Sequence, residues 1–241
     1  MGNAVVKFEN AFDIEPNFLN IFKNDLHSTL PNEDTRDEFG NIRTEGGYEI
    51  SSKYIESTPT RYPKLDSLSS SGKDFVKQIQ ESMHNCVIEY CKIFPVVIEN
   101  IRWVTNGYFI KYENGQNIGP HSDCNIAYAE DNITVINSIP VYNVLTVAAF
   151  LNDDFDGGEV SWRIWGITSK PKVGSIVIYP SSFVGCHEVA PVNNGTRYAY
   201  LRWYGHGEIP YEPNESVLHL LQGLKASNHQ QKFVPVGRIG A

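Results

Sequence analysis

The 241-residue chain is poor in positive charge, in cysteine and in long apolar runs. Lys and Arg number 20 against 28 Asp and Glu, a formal net charge of −8. Non-specific nucleic-acid binding depends on neutralising phosphates, so this balance argues against nucleic acid as the partner. The four cysteines, Cys86, Cys91, Cys124 and Cys186, form no CxxC pair. They offer neither a disulfide framework nor a zinc site and read as reduced thiols of a cytoplasmic protein. No stretch is long and apolar enough to span a membrane. The opening MGNAVVKFEN has no long apolar run of the secretory kind, and no Ser or Thr near position 6 for a myristoylation signal. There is no low-complexity tract and no internal repeat. Three glycosylation-type matches, at Asn132, Asn194 and Asn214, carry no weight in an intracellular chain.

The length suits one domain, residues 1–241, with a substantial core. Its texture changes twice. Residues 1–100 read as a helical and loop-rich support. Phe18, Phe22 and Leu26 recur at helical spacing, and so do Phe75, Ile79, Met83, Val87 and Cys91, with Pro95 closing the second run. Residues 31–72 between them read as long loops, with a strand around Tyr48–Tyr54. Residues 101–204 alternate short β-prone runs with turn signals, the pattern of a sandwich or barrel. The expected strands are Gly107–Tyr112, Val144–Leu151, Glu159–Trp162, Ser175–Tyr179 and Thr196–Tyr204. A C-terminal extension, 205–241, predicts a short helix carrying Val217, Leu220, Leu221 and Leu224.

The central stretch GPHSDC places His121 and Asp123 two residues apart. Alone, the pair is as consistent with a polar turn as with a metal clamp. The strand TRYAYLRWY adds a sharper signal. Alternate side chains share a face, so Arg197 falls with Ala199, Leu201 and Trp203, on the more apolar side. A guanidinium is costly there unless an internal carboxylate or an anionic ligand meets it, or unless it reaches water at the rim. Its planar fork suits a carboxylate. His187 lies between these elements, at the start of a strand. In order, the β-rich region holds His-x-Asp, a distant His and then an Arg. Two histidines and a carboxylate on one face of an iron leave three positions open.

At these residues the chain resembles the Fe(II)/2-oxoglutarate-dependent dioxygenases, in particular their prolyl-4-hydroxylase-like branch. The matching stretches are YENGQNIGPHSD (112–123), LTVAAFLNDDFDGGEVSW (145–162) and GSIVIYPSSFVGCHEVAPVNNGTRYAYLRWY (174–204). The resemblance implies a mainly β fold with flanking helices, built on a double-stranded β-helix, or jelly roll, of the cupin kind. It implies that His121, Asp123 and His187 bind Fe(II) and that Arg197 pairs with the far carboxylate of 2-oxoglutarate. Tyr112 matches a tyrosine that contacts the cosubstrate, and Tyr108 shares its strand face. Both are also consistent with aromatic core packing. Trp203 matches an aromatic that walls the substrate pocket, and it too has a core reading. Phe150 departs from relatives that present a Tyr hydroxyl to the cosubstrate, which would place more of the binding on Arg197 and Tyr112. Asp123 points to hydroxylation, since halogenating relatives need a small residue there.

The implied reaction consumes O2 and 2-oxoglutarate, releases succinate and CO2, and hydroxylates a C–H bond, with ascorbate as a stimulant. The first substrate reading is a prolyl or other amino-acid residue of a peptide or protein. Alternatives are a small molecule or nucleobase substrate, or a non-catalytic cupin-like metal-binding module. The loops of 31–72 and 124–143 are the expected substrate cover. Glu188 would point away from the face of His187, so it is not expected to support that ring.

Overall fold

The computed structural model describes residues 3–14, 19–20, 23–26, 42–43, 49–50, 59–62, 65–124, 126–130, 138–207, 225–226 and 233–235. Among them the β-prone stretches build one large antiparallel sheet. At its centre runs β16 (Arg197–His206). One edge of β16 pairs with β9 (Ser138–Phe150). Its other edge pairs first with β6 (Tyr108–Tyr112) and then with β5 (Trp103–Thr105). Beyond β9 lies β13 (Ile176–Pro180), and beyond that β1 (Val6–Phe8). β4 (Thr60–Tyr62) extends the sheet past β6, and β18 (Phe233–Pro235) past β5. β8 (Ile126–Glu130) pairs with the first half of β9, and β17 (Lys225–Ala226) with β8.

A smaller sheet orders β12 (Ile167–Ser169), β11 (Val160–Trp162), β14 (His187–Val189) and β7 (Ile118–His121) side by side. β7 carries Gly119 and Pro120 and sits on the edge, where a residue without an N–H is tolerated. β10 (Asp156–Gly157) pairs with β15 (Val192–Asn194), and β2 (Ile42–Arg43) with β3 (Glu49–Ile50).

The alternation of the large sheet sorts side chains into two cores. Ile110, Tyr112, Ala148, Phe150, Val177, Tyr179 and Ala199 face inward and meet Val160, Trp162 and Val189 of the smaller sheet. This is the jelly-roll interior expected from the sequence. The opposite face, with Phe109, Leu145, Val147, Ile176, Ile178, Tyr198 and Tyr200, meets a helix. That helix, α1 (Ser70–Ile93), begins at the N-cap Ser69, whose hydroxyl accepts the Gly72 N–H at 3.1 Å. Ile79, Met83 and Val87 repeat every four residues and are fully buried. Burying such side chains stabilises by roughly 1.5–3 kcal/mol each. Gln80 and Tyr90 tie the helix down: Gln80 Nε2 donates to Asn106 O and the Tyr200 hydroxyl, and the Tyr90 hydroxyl donates to Ala4 O.

Five expected strands and the long helix are present with shifts of one or a few residues, and β9 starts six residues earlier than read (138 against 144). Two readings change. The support of residues 1–100 is not only helix and loop, because β1 and β4 join the large sheet. The stretch 124–143, expected as loop, contains β8 and the start of β9. Its Ile, Tyr and Val residues are β-formers, and β8 pairs antiparallel with the start of β9. Leu26 is buried, whereas Phe18, Phe22, most of 31–72 and the expected helix at Val217–Leu224 lie outside the described residues.

Candidate active site

Three side chains meet on the inner surface where the smaller sheet closes on the larger. β7 and β14 are neighbours, and His121 and His187 are direct cross-strand partners. Their ring centroids lie 4.3 Å apart. Asp123 follows His121 by two residues, so it returns to the same face. His121 Nε2 is 3.6 Å from Asp123 Oδ1, and His187 Nε2 is 3.9 Å from Asp123 Oδ2. One ligand atom from each residue falls within 4.8 Å of the others, a spread that could hold a metal ion. His187 is 5% and Asp123 9% exposed, whereas the His121 side chain is 31% exposed, so the site opens on the His121 side.

The ring orientations suit a metal. His121 Nδ1 lies 2.8 Å from Gly119 O, and His187 Nδ1 lies 3.1 Å from Gly185 O. Backbone carbonyls accept only, so each Nδ1 carries the proton and each Nε2 turns a lone pair to the centre. Gly185 permits this return of the chain, because a Cβ there would collide with the Pro180 carbonyl. Burial, opposed by the Asp123 charge, lowers the His187 pKa below its ordinary value and favours the neutral ring that binds metals. Glu188 forms an exposed pair with Arg163, with contacts of 2.8 and 2.9 Å, and leaves the histidine alone as the strand pattern required.

Arg197 lies on the same inner face and is 3% exposed. Its Nε and Nη1 have no hydrogen-bond partner. The guanidinium stands 4.5 Å from the Tyr112 ring centroid and 5.4 Å from that of Phe150. These aromatic faces offset part of its desolvation and leave Nε and Nη1 without a partner. Its positive charge helps to hold His187 neutral, so the arginine and the histidine share one electrostatic environment. Gly158, at φ +66°, keeps the backbone clear of the arginine; a Cβ there would sit 3.1 Å from Arg197 Cδ. Tyr112 faces Arg197 across β6 and β16, and burial raises its pKa. Tyr108 stacks on Trp203 with ring centroids 5.2 Å apart, at the other end of the same face.

Four residues of this neighbourhood escaped the sequence reading. Asn152 brackets Arg197: its Nδ2 donates to Thr196 O at 2.7 Å, and its Oδ1 accepts the Tyr198 N–H at 2.7 Å. Thr146 and Tyr179 bond the Asp123 carboxylate, and Ser181 bonds Thr146 behind it. The Asn152 signal was present as the Asn of LND, next to a strand end. The other three signal nothing by spacing.

Residues 101–205 match the family model described as the 2OG-Fe(II) oxygenase superfamily. A viral collagen prolyl hydroxylase from Paramecium bursaria Chlorella virus-1, solved with 2OG, superposes with a TM-score of 0.55 at 12% identity, covering 86% of this chain and 98% of that one. A Trichoplax adhaerens prolyl hydroxylase, solved with a peptide fragment of the hypoxia inducible factor oxygen degradation domain, gives 0.54 at 16% identity over 84% and 83%. An oxidoreductase of the 2OG-Fe(II) oxygenase family from Burkholderia pseudomallei gives 0.50 at 16% identity over 85% and 87%. At these identities the superpositions speak for the fold.

Proposed function

We infer that this chain, which carries a 2OG-Fe(II) oxygenase domain over residues 101–205, is an Fe(II)- and 2-oxoglutarate-dependent dioxygenase that hydroxylates a prolyl or other amino-acid residue of a peptide or protein. One observation carries the cofactor assignment. The metal-competent Nε2 atoms of His121 and His187, the Asp123 carboxylate and the unpartnered donors of Arg197 line one buried face. Two imidazoles and one carboxylate are the donor set of a non-haem iron with open positions. An orphaned buried guanidinium is the complement of a dicarboxylate's far end.

Bound iron, 2-oxoglutarate and O2 supply the oxidising chemistry, with succinate and CO2 as by-products. The chain's own residues do the rest. His121, Asp123 and His187 would hold the metal, and the Gly119 and Gly185 carbonyls fix the imidazole tautomers. Arg197 would anchor the cosubstrate carboxylate, with Tyr112 beneath the guanidinium plane. The Phe150 ring packs 5.4 Å from the same guanidinium and adds an apolar surface beside it. Trp203 and Tyr108 form an aromatic wall where the substrate would enter.

The peptide substrate is the finer part of the reading. The shared fold includes one relative described as a collagen prolyl hydroxylase and one solved with a peptide fragment. The acidic charge weighs against a nucleobase in a polyanion. The deciding experiment is succinate formation with Fe(II), 2-oxoglutarate and ascorbate over Pro-containing peptides, free amino acids and oligonucleotides. A peptide arm that forms succinate and gains one oxygen by mass supports the reading. Turnover confined to another arm replaces the substrate class. His187→Ala should abolish turnover in a folded protein; full activity in that variant would sink the iron assignment.

A further inference from the structure

Asp123 is held by side chains from three separate positions, two hydroxyls and an amide. Its Oδ2 accepts from Thr146 Oγ1 at 2.8 Å and from the Tyr179 hydroxyl at 3.3 Å. Its backbone carbonyl accepts from Asn143 Nδ2 at 3.0 Å. Thr146 and Ser181 are fully buried, and Tyr179 is 3% exposed. The proton directions follow from counting. A carboxylate only accepts, so the single Thr146 proton goes to Asp123. Ser181 Oγ, 2.9 Å from Thr146 Oγ1, must then be the donor between them. Ser181 is itself fixed, since its backbone N–H bonds Val144 O at 2.8 Å. A one-way chain runs from Ser181 through Thr146 to Asp123. The remaining carboxylate oxygen, Oδ1, is the one that faces His121 Nε2.

We propose that Thr146, oriented by Ser181 and assisted by Tyr179, is a positioning residue that makes Asp123 a one-oxygen metal ligand: it fills Oδ2 with hydrogen bonds and leaves Oδ1 for the metal. The proposal rests on the assignment of His121, Asp123 and His187 as metal ligands. Tyr179 adds a dependence on loading. Its hydroxyl also lies 3.1 Å from His187 Nε2, so one phenol proton serves two acceptors. With His187 Nε2 occupied by a metal, the Tyr179 proton would be left to Asp123 alone, and the frame around the carboxylate would be firmer in the loaded protein.

The metal-free protein titrated with Mn(II) in a calorimeter, and with Co(II) by visible absorption, tests the proposal. Outer partners of metal ligands typically contribute about 10–100-fold in affinity. Thr146→Val should weaken Mn(II) binding in that range and shift the Co(II) bands. Thr146→Ser, which keeps the hydroxyl, should restore both. Ser181→Ala should show a smaller loss, and the double variant T146V/S181A should be no worse than T146V. Should T146V fail to fold, S181A, which removes a single oxygen, decides the matter. Mn(II) binding as tight in T146V and S181A as in the wild type overturns the proposal, and so does a T146S variant as weak as T146V. Wild-type protein that binds Mn(II) no better than H187A would overturn the ligand assignment instead, which separates the two failures.

Discussion

A guanidinium at 3% exposure with two nitrogens unpartnered is an expensive side chain in the ligand-free protein. Its cost is recovered when an anion arrives. Arg197→Met should therefore leave the thermal midpoint of the metal-free protein unchanged or raised. The same variant should raise the 2-oxoglutarate KM steeply. Hydrogen bonds to charged groups contribute about 1.5–3 kcal/mol, which is roughly 10–150-fold. Steady-state kinetics and calorimetric melting measure the two effects; an unchanged KM would remove Arg197 from the cosubstrate site. His121, Asp123, His187 and Arg197 were legible because histidine, aspartate and arginine in that order have few structural uses together. Thr146, Ser181 and Tyr179 were not. They meet Asp123 or each other across separations of 23, 35 and 56 residues, and a lone hydroxyl in a strand is unremarkable by pattern.

At the scale of elements, the junction of β9 and β16 depends on Asn152. Its amide joins the residue past β9 to the backbone on both sides of Arg197. Asn152→Ala strips these partners in a buried setting, where each unsatisfied group costs about 1–3 kcal/mol. Urea unfolding should show that loss, and the 2-oxoglutarate KM should rise although Asn152 touches no ligand. A variant with normal stability and normal KM would refute the role. The helix α1 and the long strands β6, β9, β13 and β16 were readable, because periodicity needs a run to declare itself, and the short β11 was marked by the Gly pair before it; β8, read as loop, was not. β10, β12 and β15, with two or three residues each, offer no run of alternation to read. β7 contains Gly and Pro, and only its pairing with β14 makes it a strand.

For the whole molecule, acid sensitivity has an origin remote from the catalytic face. His84 lies on α1, between the helix and the sheet. Burial first, and then the charge of Arg202, lower its pKa below the ordinary 6.5. Its protonated form is thus disfavoured in the fold relative to the unfolded chain. Stability is fully present above pH 6.5 and is lost as pH falls through the lower folded value. Denaturant midpoints followed from pH 8 downward should decline below that point, by about the amount that one shifted proton site allows. His84→Gln should flatten the decline, and identical slopes in both proteins would exclude His84 as the source.

β16 belongs to both cores at once. Ala199 faces the interior where Arg197 and Trp203 stand, while Tyr198 and Tyr200 face the helix. Chemistry and cohesion are thus written on alternate letters of one strand. Selection can revise one message while leaving the other intact, provided that it moves in steps of two. A single-residue insertion in RYAYLRWY would exchange the two messages and spoil both.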